Sequence, residues 1–375
     1  MAAKTKTTIN IYRSSEPRSA RIPSARRSDV RDVAALAGVS VATVSRALSR
    51  PQLVSDEKLK SVRAAVRKLN YVVQGVGRAL SSRQTRTIGA ILPTIDHAMW
   101  AKTTYELQAA LAKRGYTLSL ACTEFDQDRE IELARRFIEL GADGIVLFGK
   151  TQKPELHALL EHLQIPYVST WSYDPSPRGT AVGFDNRKAA LLVVDHLALL
   201  GHERIGIIAG SMASEWQRER LVWLRHETER LKIPLREDWI VEGPFSFETG
   251  RNGVKRLMRQ PDRPTAIICG HDIIAVGALG ACREIGIQVP EEVSLTGFED
   301  LDLASAVVPS LTTVHFPAGD LGALAGEQIM KRIDAAGEDT QIEVPIRLVV
   351  RGTTAKVRST TERRFRQAKA RTASA

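Results

Sequence analysis

The chain is poor in cysteine and has no long hydrophobic segment. Its three cysteines, Cys122, Cys269 and Cys282, have no metal-ligand spacing, and an odd number is typical of reduced thiols. We expect all three to be small core residues. No apolar run approaches the roughly 20 residues of a membrane span, and no export signal opens the chain. The sequence therefore predicts a cytoplasmic protein with no metal site and no membrane span.

The sequence signatures of common α/β enzymes are also missing. The chain contains no Gly-x-Gly-x-x-Gly, no Gly-x-Ser-x-Gly, no Gly-Lys-Ser/Thr phosphate loop and no His/Glu metal motif. His271 and Asp272 could form an acid/base pair, but nothing supplies a nucleophile or a metal ion beside them. These absences argue against an enzyme and against a bound cofactor.

Basic residues are concentrated at the two ends of the chain. Residues 1–27, 28–83 and 356–375 each carry a net charge of +6, whereas the whole chain carries +10 and residues 84–355 therefore carry −8. A basic head on an acidic body is typical of a protein that binds a polyanion at one end. The tails, 1–27 and 356–375, are equally compatible with solvated, disordered segments, and the first superficially resembles an organelle transit peptide.

Residues 28–72 have the pattern of three short helices. The first runs from about Val30 to Leu36, and Gly38 can supply the positive φ that a tight turn needs. Ser40 is placed to cap the second helix. The third starts at Ser55, with acidic residues near the positive end of its dipole. The spacing predicts a helix-turn-helix DNA-binding head.

The motif in this head resembles a known family. Asp32-Val-Ala-x-x-Ala-Gly-Val-Ser-x-x-Thr-Val-Ser-Arg-x-Leu48, followed by Val54-Ser55 and Leu69-Asn70-Tyr71, is similar to the head of the lactose/galactose repressor (LacI-type) family of bacterial transcriptional regulators. The resemblance implies that the exposed start of the second helix reads the major groove of operator DNA. By position, the contacting residues are Ser40, Val41, Ala42, Thr43, Ser45 and Arg46.

These residue types suit different contacts with DNA. Arg46 can donate two hydrogen bonds to guanine O6 and N7, or it can clamp a phosphate. An exposed arginine with no partner is the alternative for this position. Val41 and Ala42 offer only apolar contact, for instance with a thymine methyl group. Together they predict base readout with few polar groups.

Residues 73–85 resemble the hinge of the same family, which folds into a helix on operator DNA. Leu80 stands where the family inserts a leucine into the minor groove and kinks a central base step. Two glycines, Gly75 and Gly77, each cost about 1 kcal/mol of helix propensity. We therefore expect a hinge that is ordered only on DNA, with a plain flexible linker as the alternative.

From residue 86 to residue 355, short apolar runs alternate with amphipathic stretches. Continuous apolar strands between helices indicate parallel sheets that are buried on both faces. The strands are too many for one small open sheet, so we predict two doubly wound α/β lobes with a cleft between them. Landmarks from Ile88-Gly89 to Pro309-Ser-Leu-Thr-Thr-Val314 resemble the periplasmic-binding-protein-like effector domain of the family. The stretch Val182-Gly-Phe-Asp-Asn186 is similar to its gluconate-repressor-like members.

The same resemblance places an effector site in the cleft. Arg220 and Asp272 align with family residues that bind the effector, and a guanidinium facing a carboxylate suits a polyol. Asp185 could supply a second carboxylate. Trp100 and Trp171 lie, like Trp216, in strand-to-helix loops where ligands of doubly wound lobes bind. A tryptophan stacked on a sugar ring and a buried structural tryptophan are equal alternatives at each of these positions, and His97 is a weaker candidate.

The chain also departs from the family pattern. His97-Ala-Met-Trp100 replaces the frequent Asn-Pro-Phe-Phe, and Leu221-Val-Trp-Leu224 follows the ligand arginine in place of Leu-x-Gly-Phe. Tyr71-Val-Val-Gln74 replaces Tyr-x-Pro-Asn before the hinge. These differences bear on the identity of the effector and on the stability of the hinge.

We therefore predict a homodimeric transcriptional regulator, a repressor by resemblance, whose affinity for operator DNA is controlled by a small sugar or sugar acid. No leucine heptad follows residue 340, so we expect no tetramer built on a C-terminal coiled coil. A transport-type sugar-binding protein is the rival class. It would lack the head, and a DNA-binding assay without residues 1–83 separates the two.

Overall fold

The computed structural model describes residues 28–72, 84–173, 179–335 and 338–357. The chain divides into two compact units, Met1–Arg83 and Gln84–Ala375. The basic tail 1–27 lies outside the described residues, as do residues 358–375 of the second tail. The hinge residues 73–83, with Leu80 among them, lie outside them too.

The first unit is a three-helix head. Its helices are α1 Val30–Ala37, α2 Val41–Ser49 and α3 Asp56–Lys68, with a 3₁₀ turn at Pro51–Leu53.

Local side-chain chemistry sets the ends of these helices. Asp29 caps α1 by accepting the backbone N–H groups of Arg31 and Asp32. Gly38 has a φ of 65°, the left-handed conformation that the turn was predicted to need. The Ser40 hydroxyl accepts the backbone N–H of Thr43 at 3.2 Å, which confirms the predicted cap of α2. Helix α1 runs one residue further than predicted, to Ala37.

A small apolar core holds the three helices together. Val33, Val44 and Val62, one from each helix, are fully buried, and Leu48 packs against them. Helix α2 therefore packs on α1 through this core. The side of α2 that carries Val41 and Ala42 is left exposed.

The second unit contains all the strands of the described residues. The strands are β1 Thr87–Leu92, β2 Thr117–Cys122, β3 Gly144–Phe148, β4 Tyr167–Thr170, β5 Thr180–Gly183, β6 Ile205–Ala209, β7 Ile240–Glu242, β8 Ala266–Cys269, β9 Ser294–Glu299, β10 Thr312–His315, β11 Gln341–Glu343 and β12 Arg347–Val349. The helices are α4 Ala98–Ala112, α5 Gln127–Glu139, α6 Pro154–His162, α7 Asn186–Leu199, α8 Glu215–Arg230, α9 Phe247–Leu257, α10 Asp272–Glu284, α11 Asp302–Ala306 and α12 Ala318–Ile333.

The strands form two sheets, and this confirms the predicted pair of doubly wound lobes. The first has the order β11-β5-β4-β3-β1-β2 and the second β12-β10-β9-β8-β6-β7. All pairings are parallel except β10 with β12. In each sheet the strand order reverses beside β1 or β6, and ligands of such sheets bind outside the carboxyl ends of the strands at that point. The carboxyl ends of the two sheets therefore define the candidate cleft.

The chain crosses between the lobes three times. It leaves the first lobe after β5, returns to it after β10 to form α12 and β11, and crosses again to form β12. Helix α12 packs along α4 of the first lobe, and α7 packs on α8 of the second. Each lobe is thus assembled from separate segments of the chain.

The start of the second unit lies slightly before the predicted end of the hinge. Thr85 donates its backbone N–H to Asp143 at 2.9 Å and its hydroxyl to the carbonyl oxygen of Gly141 at 2.6 Å. These bonds attach residue 85 to the first lobe. The hinge assigned to residues 73–85 therefore includes at least one residue that belongs to the lobe.

Two of the three cysteines lie in the core as predicted, and Cys122 does not. Cys269 ends β8 and Cys282 lies in α10, both fully buried, while Cys122 ends β2 and is half-buried. No single helix in the described part of the chain is long and apolar enough to cross a membrane. Only α1 and α2 taken together have the length and composition for it, and they are bent by 100° at the turn.

Candidate functional site

The first candidate site is the exposed face at the start of α2. Val41, Ala42, Ser45 and Arg46 are exposed, whereas Val44 on the opposite face is fully buried. Helical spacing explains this separation, because residues three or four apart share a face. The predicted contact residues therefore lie together on one surface.

Ser40 and Thr43 fix the first turn of that helix. Their hydroxyl oxygens are 2.9 Å apart, and Ser40 also accepts the backbone N–H of Thr43. Both hydroxyls are thus committed to the cap in the free protein. Ser40 is exposed and Thr43 is half-buried.

The second candidate site is a cavity where the carboxyl ends of the two sheets meet. It leaves a free volume of about 30 Å³, room for one or two water molecules. Twelve residues line it: His97, Trp100, Phe125, Trp171, Phe184, Ser214, Trp216, Gln217, Arg220, Phe245, His271 and Glu299. Four of the six predicted effector residues are among them.

Three tryptophans line this cavity. The ring of Trp100 lies 4.1 Å from that of Trp171 and 5.0 Å from that of Trp216, measured between centroids. Trp171 donates its indole N–H to the hydroxyl of Thr103, and Trp216 donates its own to the carbonyl oxygen of Trp171. Trp171 and Trp100 come from the first lobe and Trp216 from the second, so the lobes meet through aromatic rings packed in tilted and edge-to-face arrangements.

Arg220 is a buried cation that also lines the cavity. Its Nη1 donates to the carbonyl oxygen of Gly270 at 2.7 Å and its Nη2 to Oδ1 of Asn186 at 3.3 Å. The guanidinium stacks over Phe298 at 4.3 Å. Burial lowers the pKa of Arg220 to about 10, so it stays charged at neutral pH. Its Nε has no hydrogen-bond partner among the described residues, which leaves one buried donor for a ligand oxygen.

Two histidines and a glutamate lie beside it. His271 accepts the backbone N–H of Ile273 on Nδ1, so its proton is on Nε2, which lies 2.9 Å from Glu299 Oε2. The ring of His97 lies 5.8 Å from that of His271. Burial lowers the pKa of His97. His97 is therefore a neutral group of the cavity at neutral pH.

Backbone strain marks three of the lining positions. Phe125, Trp171 and Glu299 have φ values of 67°, 76° and 107°. Residues other than glycine rarely adopt such values, and they persist where the surrounding structure holds them, often at binding sites. Trp171 directly follows β4, Glu299 ends β9 and Phe125 lies three residues after β2, so all three lie at the carboxyl edge of a sheet.

Asp272 and Asp185 are the two predicted effector residues that do not line the cavity. Asp272 is fully buried and accepts the hydroxyl of Thr313 at 2.6 Å and the backbone N–H of Leu301 at 2.8 Å. Burial raises its pKa to about 7. Asp185 caps α7 by accepting the backbone N–H of Arg187. The structure thus corrects their expected orientation, because backbone and hydroxyl donors already bind both carboxylates.

Several lining residues were missed from the sequence. Glu299 ends β9, Phe125 lies three residues after β2, and Gln217 lies three residues before Arg220 on the same face of α8. These positions in the sequence were enough to predict that the three residues line the cleft. Phe245 had none, since it lies in a loop before α9 and reaches the site only through the fold.

A larger open cleft adjoins the cavity and shares Phe125 and Trp216 with it. It has a free volume of about 630 Å³ and is lined mainly by polar residues of the first lobe and the start of α8. Glu130 is its most buried carboxyl group. Burial, and then the charge of Glu215, raise the pKa of Glu130 to about 7. No cluster of metal-ligating side chains was found among the residues that the structure describes.

Two family descriptions match the chain. Residues 29–74 match the lacI family of bacterial regulatory proteins, and residues 194–354 match a periplasmic binding protein-like domain. A relative, the HTH-type transcriptional repressor PurR of Aliivibrio salmonicida (strain LFI1238), is 31% identical over 306 residues, 81% of this chain and 92% of the relative.

Solved structures show the same architecture. The lac repressor dimer bound to operator and the anti-inducer ONPF superposes with a TM-score of 0.79 at 23% identity, covering 88% of this chain and all of that one. The transcriptional regulator CelR in complex with cellobiose gives a TM-score of 0.63 at 26% identity, covering 87% of this chain and all of that one.

Proposed function

Since the chain belongs to the lacI family of bacterial regulatory proteins and is a DNA-binding transcriptional repressor of that family, we propose that its effector is a small sugar or sugar acid bound in the cavity between the lobes. In this proposal residues 28–72 bind DNA, 73–84 form the hinge and 85–355 bind the effector and dimerise. The protein works as a homodimer in the cytoplasm.

The unused Nε of Arg220 is the observation that carries the proposal. A buried guanidinium with a free N–H suits a hydroxyl or carboxylate oxygen, because a charged donor forms strong hydrogen bonds in a dry site. Glu299 and His97 supply polar groups for further hydroxyls around it. The tryptophan faces supply the apolar surface on which sugar rings stack.

The closed cavity is too small for a sugar. About 30 Å³ of free volume does not hold even a monosaccharide ring, so entry requires the lobes to separate and the tryptophans to move. A ligand that binds one lobe arrangement better than the other shifts the equilibrium between them. This provides a means of controlling affinity for operator DNA.

On the DNA side, we propose that the exposed face of α2 reads base edges. Val41 and Ala42 make apolar contacts and Arg46 donates to guanine or phosphate. A dimer places one head on each half of a pseudo-palindromic site. The support is the exposure of these residues together with the match of residues 29–74 to the family.

A melting-temperature screen tests the effector class. Gluconate, cellobiose, glucose, adenine and guanine are added separately to the full-length protein, and a ligand at about 100 times its dissociation constant adds about 2.7 kcal/mol of stability. A shift with a sugar or sugar acid that Arg220→Leu loses, and that Arg225→Leu keeps, supports the proposal. Arg225 is a suitable control because it lies on the same helix but is exposed. A shift with a purine alone would overturn it.

A further inference from the structure

A carboxylate from the second lobe is bound by a loop of the first. Glu215, the first residue of α8, accepts the backbone N–H of Lys150 at 2.9 Å on Oε1 and that of Thr151 at 3.0 Å on Oε2. The hydroxyl of Thr151 donates to Oε2, and that of Ser172 donates to Oε1 at 3.3 Å. All four donors follow β3 or β4 of the first lobe. Both oxygens of Glu215 are therefore held across the cleft.

Gly149 shapes this loop around the carboxylate. Its φ is 95°, a conformation that favours glycine. A Cβ atom at this position would lie 2.3 Å from Oε1 of Glu215, closer than any real contact. The loop can therefore approach the carboxylate only because residue 149 has no side chain.

A second carboxylate on the same helix face extends the contact. Glu219 lies four residues after Glu215, and its Oε1 is 2.8 Å from Nζ of Lys150. Its Oε2 accepts Nδ2 of Asn186 at 3.0 Å, and Oδ1 of Asn186 accepts Nη2 of Arg220. A continuous series of hydrogen bonds thus runs from the first-lobe loop to the arginine of the cavity.

We infer that the contact of Glu215 with Lys150, Thr151 and Ser172, here called the Glu215 clasp, is an inter-lobe latch that holds the two lobes closed over the cavity. Exposed ion pairs contribute little to stability, but this contact differs from them. Two of its four donors are backbone N–H groups fixed by a loop, and a charged acceptor bound to such groups makes strong hydrogen bonds.

The clasp acts where opening must begin. It lies at the rim of the open cleft that adjoins the cavity, and Glu215 directly precedes Trp216, which closes the cavity from the second lobe. Separating the lobes breaks the four hydrogen bonds together. Weakening the clasp shifts the lobes towards the open arrangement. Any effect of this shift on the effector response rests on the proposed function, whereas the role of the clasp in holding the lobes together does not.

Two measurements on the full-length protein without any effector test the inference. Amide hydrogen exchange of residues 149–151 reports the clasp locally. Acrylamide quenching of tryptophan fluorescence reports opening, because Trp100, Trp171 and Trp216 are 7% exposed or less and none belongs to the clasp. Trp223 and Trp239 lie in the second lobe and give a constant background.

Glu215→Gln places an amide N–H₂ against backbone donors, and Gly149→Ala removes the space for the carboxylate. In both variants we expect exchange at residues 150–151 to be roughly tenfold faster and quenching to rise. Thr151→Val removes one donor and should give a smaller change of the same kind. Glu237→Gln, which breaks an ion pair with Arg225 within the second lobe, should match the wild type in both measurements.

The double variant Glu215→Gln/Gly149→Ala should be quenched no more than Glu215→Gln alone, because both changes remove one contact. Faster exchange at residues 150–151 with unchanged quenching would show that the contact is only local and would overturn the inference. So would unchanged exchange in Glu215→Gln. Neither result bears on the effector, since no arm of the experiment contains one.

Discussion

Arg220 donates to the carbonyl oxygen of Gly270 at 2.7 Å, and so ties the middle of α8 to the loop that leads from β8 into α10. The bond fixes the guanidinium from one side. With Asn186 on the other Nη and Phe298 against its plane, the side chain has one position. A group held in this way loses little further freedom when it binds a ligand.

Removing Arg220 should abolish the effector response and leave DNA binding intact. Arg220→Ala deletes the free donor and removes one hydrogen bond each from the carbonyl oxygen of Gly270 and from Oδ1 of Asn186, which costs about 1–3 kcal/mol of body stability. Calorimetry with the ligand found by screening should show no heat, and operator titration should give one affinity with and without that ligand. Arg225→Ala is the control. A normal response in Arg220→Ala would contradict the assignment of the cavity.

Arg46→Ala should weaken operator binding by roughly 1–3 kcal/mol if the side chain reads guanine. The loss should be confined to the correct site, and titration of a scrambled duplex at the same salt concentration measures this. A loss of equal size on both duplexes would show that Arg46 only clamps phosphate. Overall affinity should fall steeply with salt in either case, since several basic residues neutralise phosphates.

Val41 and Val44 offer a matched pair in one helix, because Val41 is 41% exposed and Val44 is fully buried. Val44→Ala should cost about 2 kcal/mol of stability of the head and so weaken binding to every duplex. Val41→Ala should leave stability unchanged and alter sequence preference alone. Thermal unfolding and operator selection test both. Similar stabilities for the two variants would contradict the described core.

The pH dependence of stability should report Asp272. Its pKa is about 7 in the folded chain and about 3.9 in the unfolded chain, so the unfolded state loses its proton first as pH rises. Stability contributed by this group is present at low pH and falls between about pH 4 and pH 7. Asp272→Asn cannot ionise, so from pH 5 to pH 8 the wild type should lose about 1–3 kcal/mol relative to the variant. Urea unfolding at both pH values measures the difference, and Glu130 cancels because both proteins contain it.

The opposite outcome is a difference in free energy of unfolding between wild type and Asp272→Asn that is the same at pH 5 and pH 8. That result would show that the two donors lower the pKa of Asp272 as much as burial raises it. Thr313 and Leu301 both favour the ionised form. Thr313→Val removes one donor, so it should raise the pKa of Asp272 further and move the transition to higher pH.

Local signals predicted local structure in this chain. Gly38 and Ser40 were identified from spacing alone, because a turn and a cap depend on neighbouring residues. The two sheets followed from alternating apolar runs. The partners of Asp272 did not, since Thr313 lies 41 residues away and only the packed sheet brings the two together. A resemblance to the family predicts the position of a carboxylate in the sequence, but it does not predict which hydrogen-bond donors bind that carboxylate in the folded chain.

The Glu215 clasp shows the same limit. Glu215 and Lys150 are 65 residues apart in the sequence, and neither lies in a recognisable sequence motif. The sequence shows that position 149 is a glycine. It does not show why glycine is needed there, because the carboxylate that a side chain would meet comes from the other lobe and approaches only in the folded chain.

The three crossings between the lobes also determine which parts of the fold a truncated protein would lack. A chain that stopped after β10 would lack α12 and β11 of the first lobe and β12 of the second at once. A premature stop codon late in the gene is therefore expected to damage both halves of the sensor together, while the small helical head, complete by residue 72, would still be encoded in full. Such an allele would produce DNA-binding heads with no working sensor.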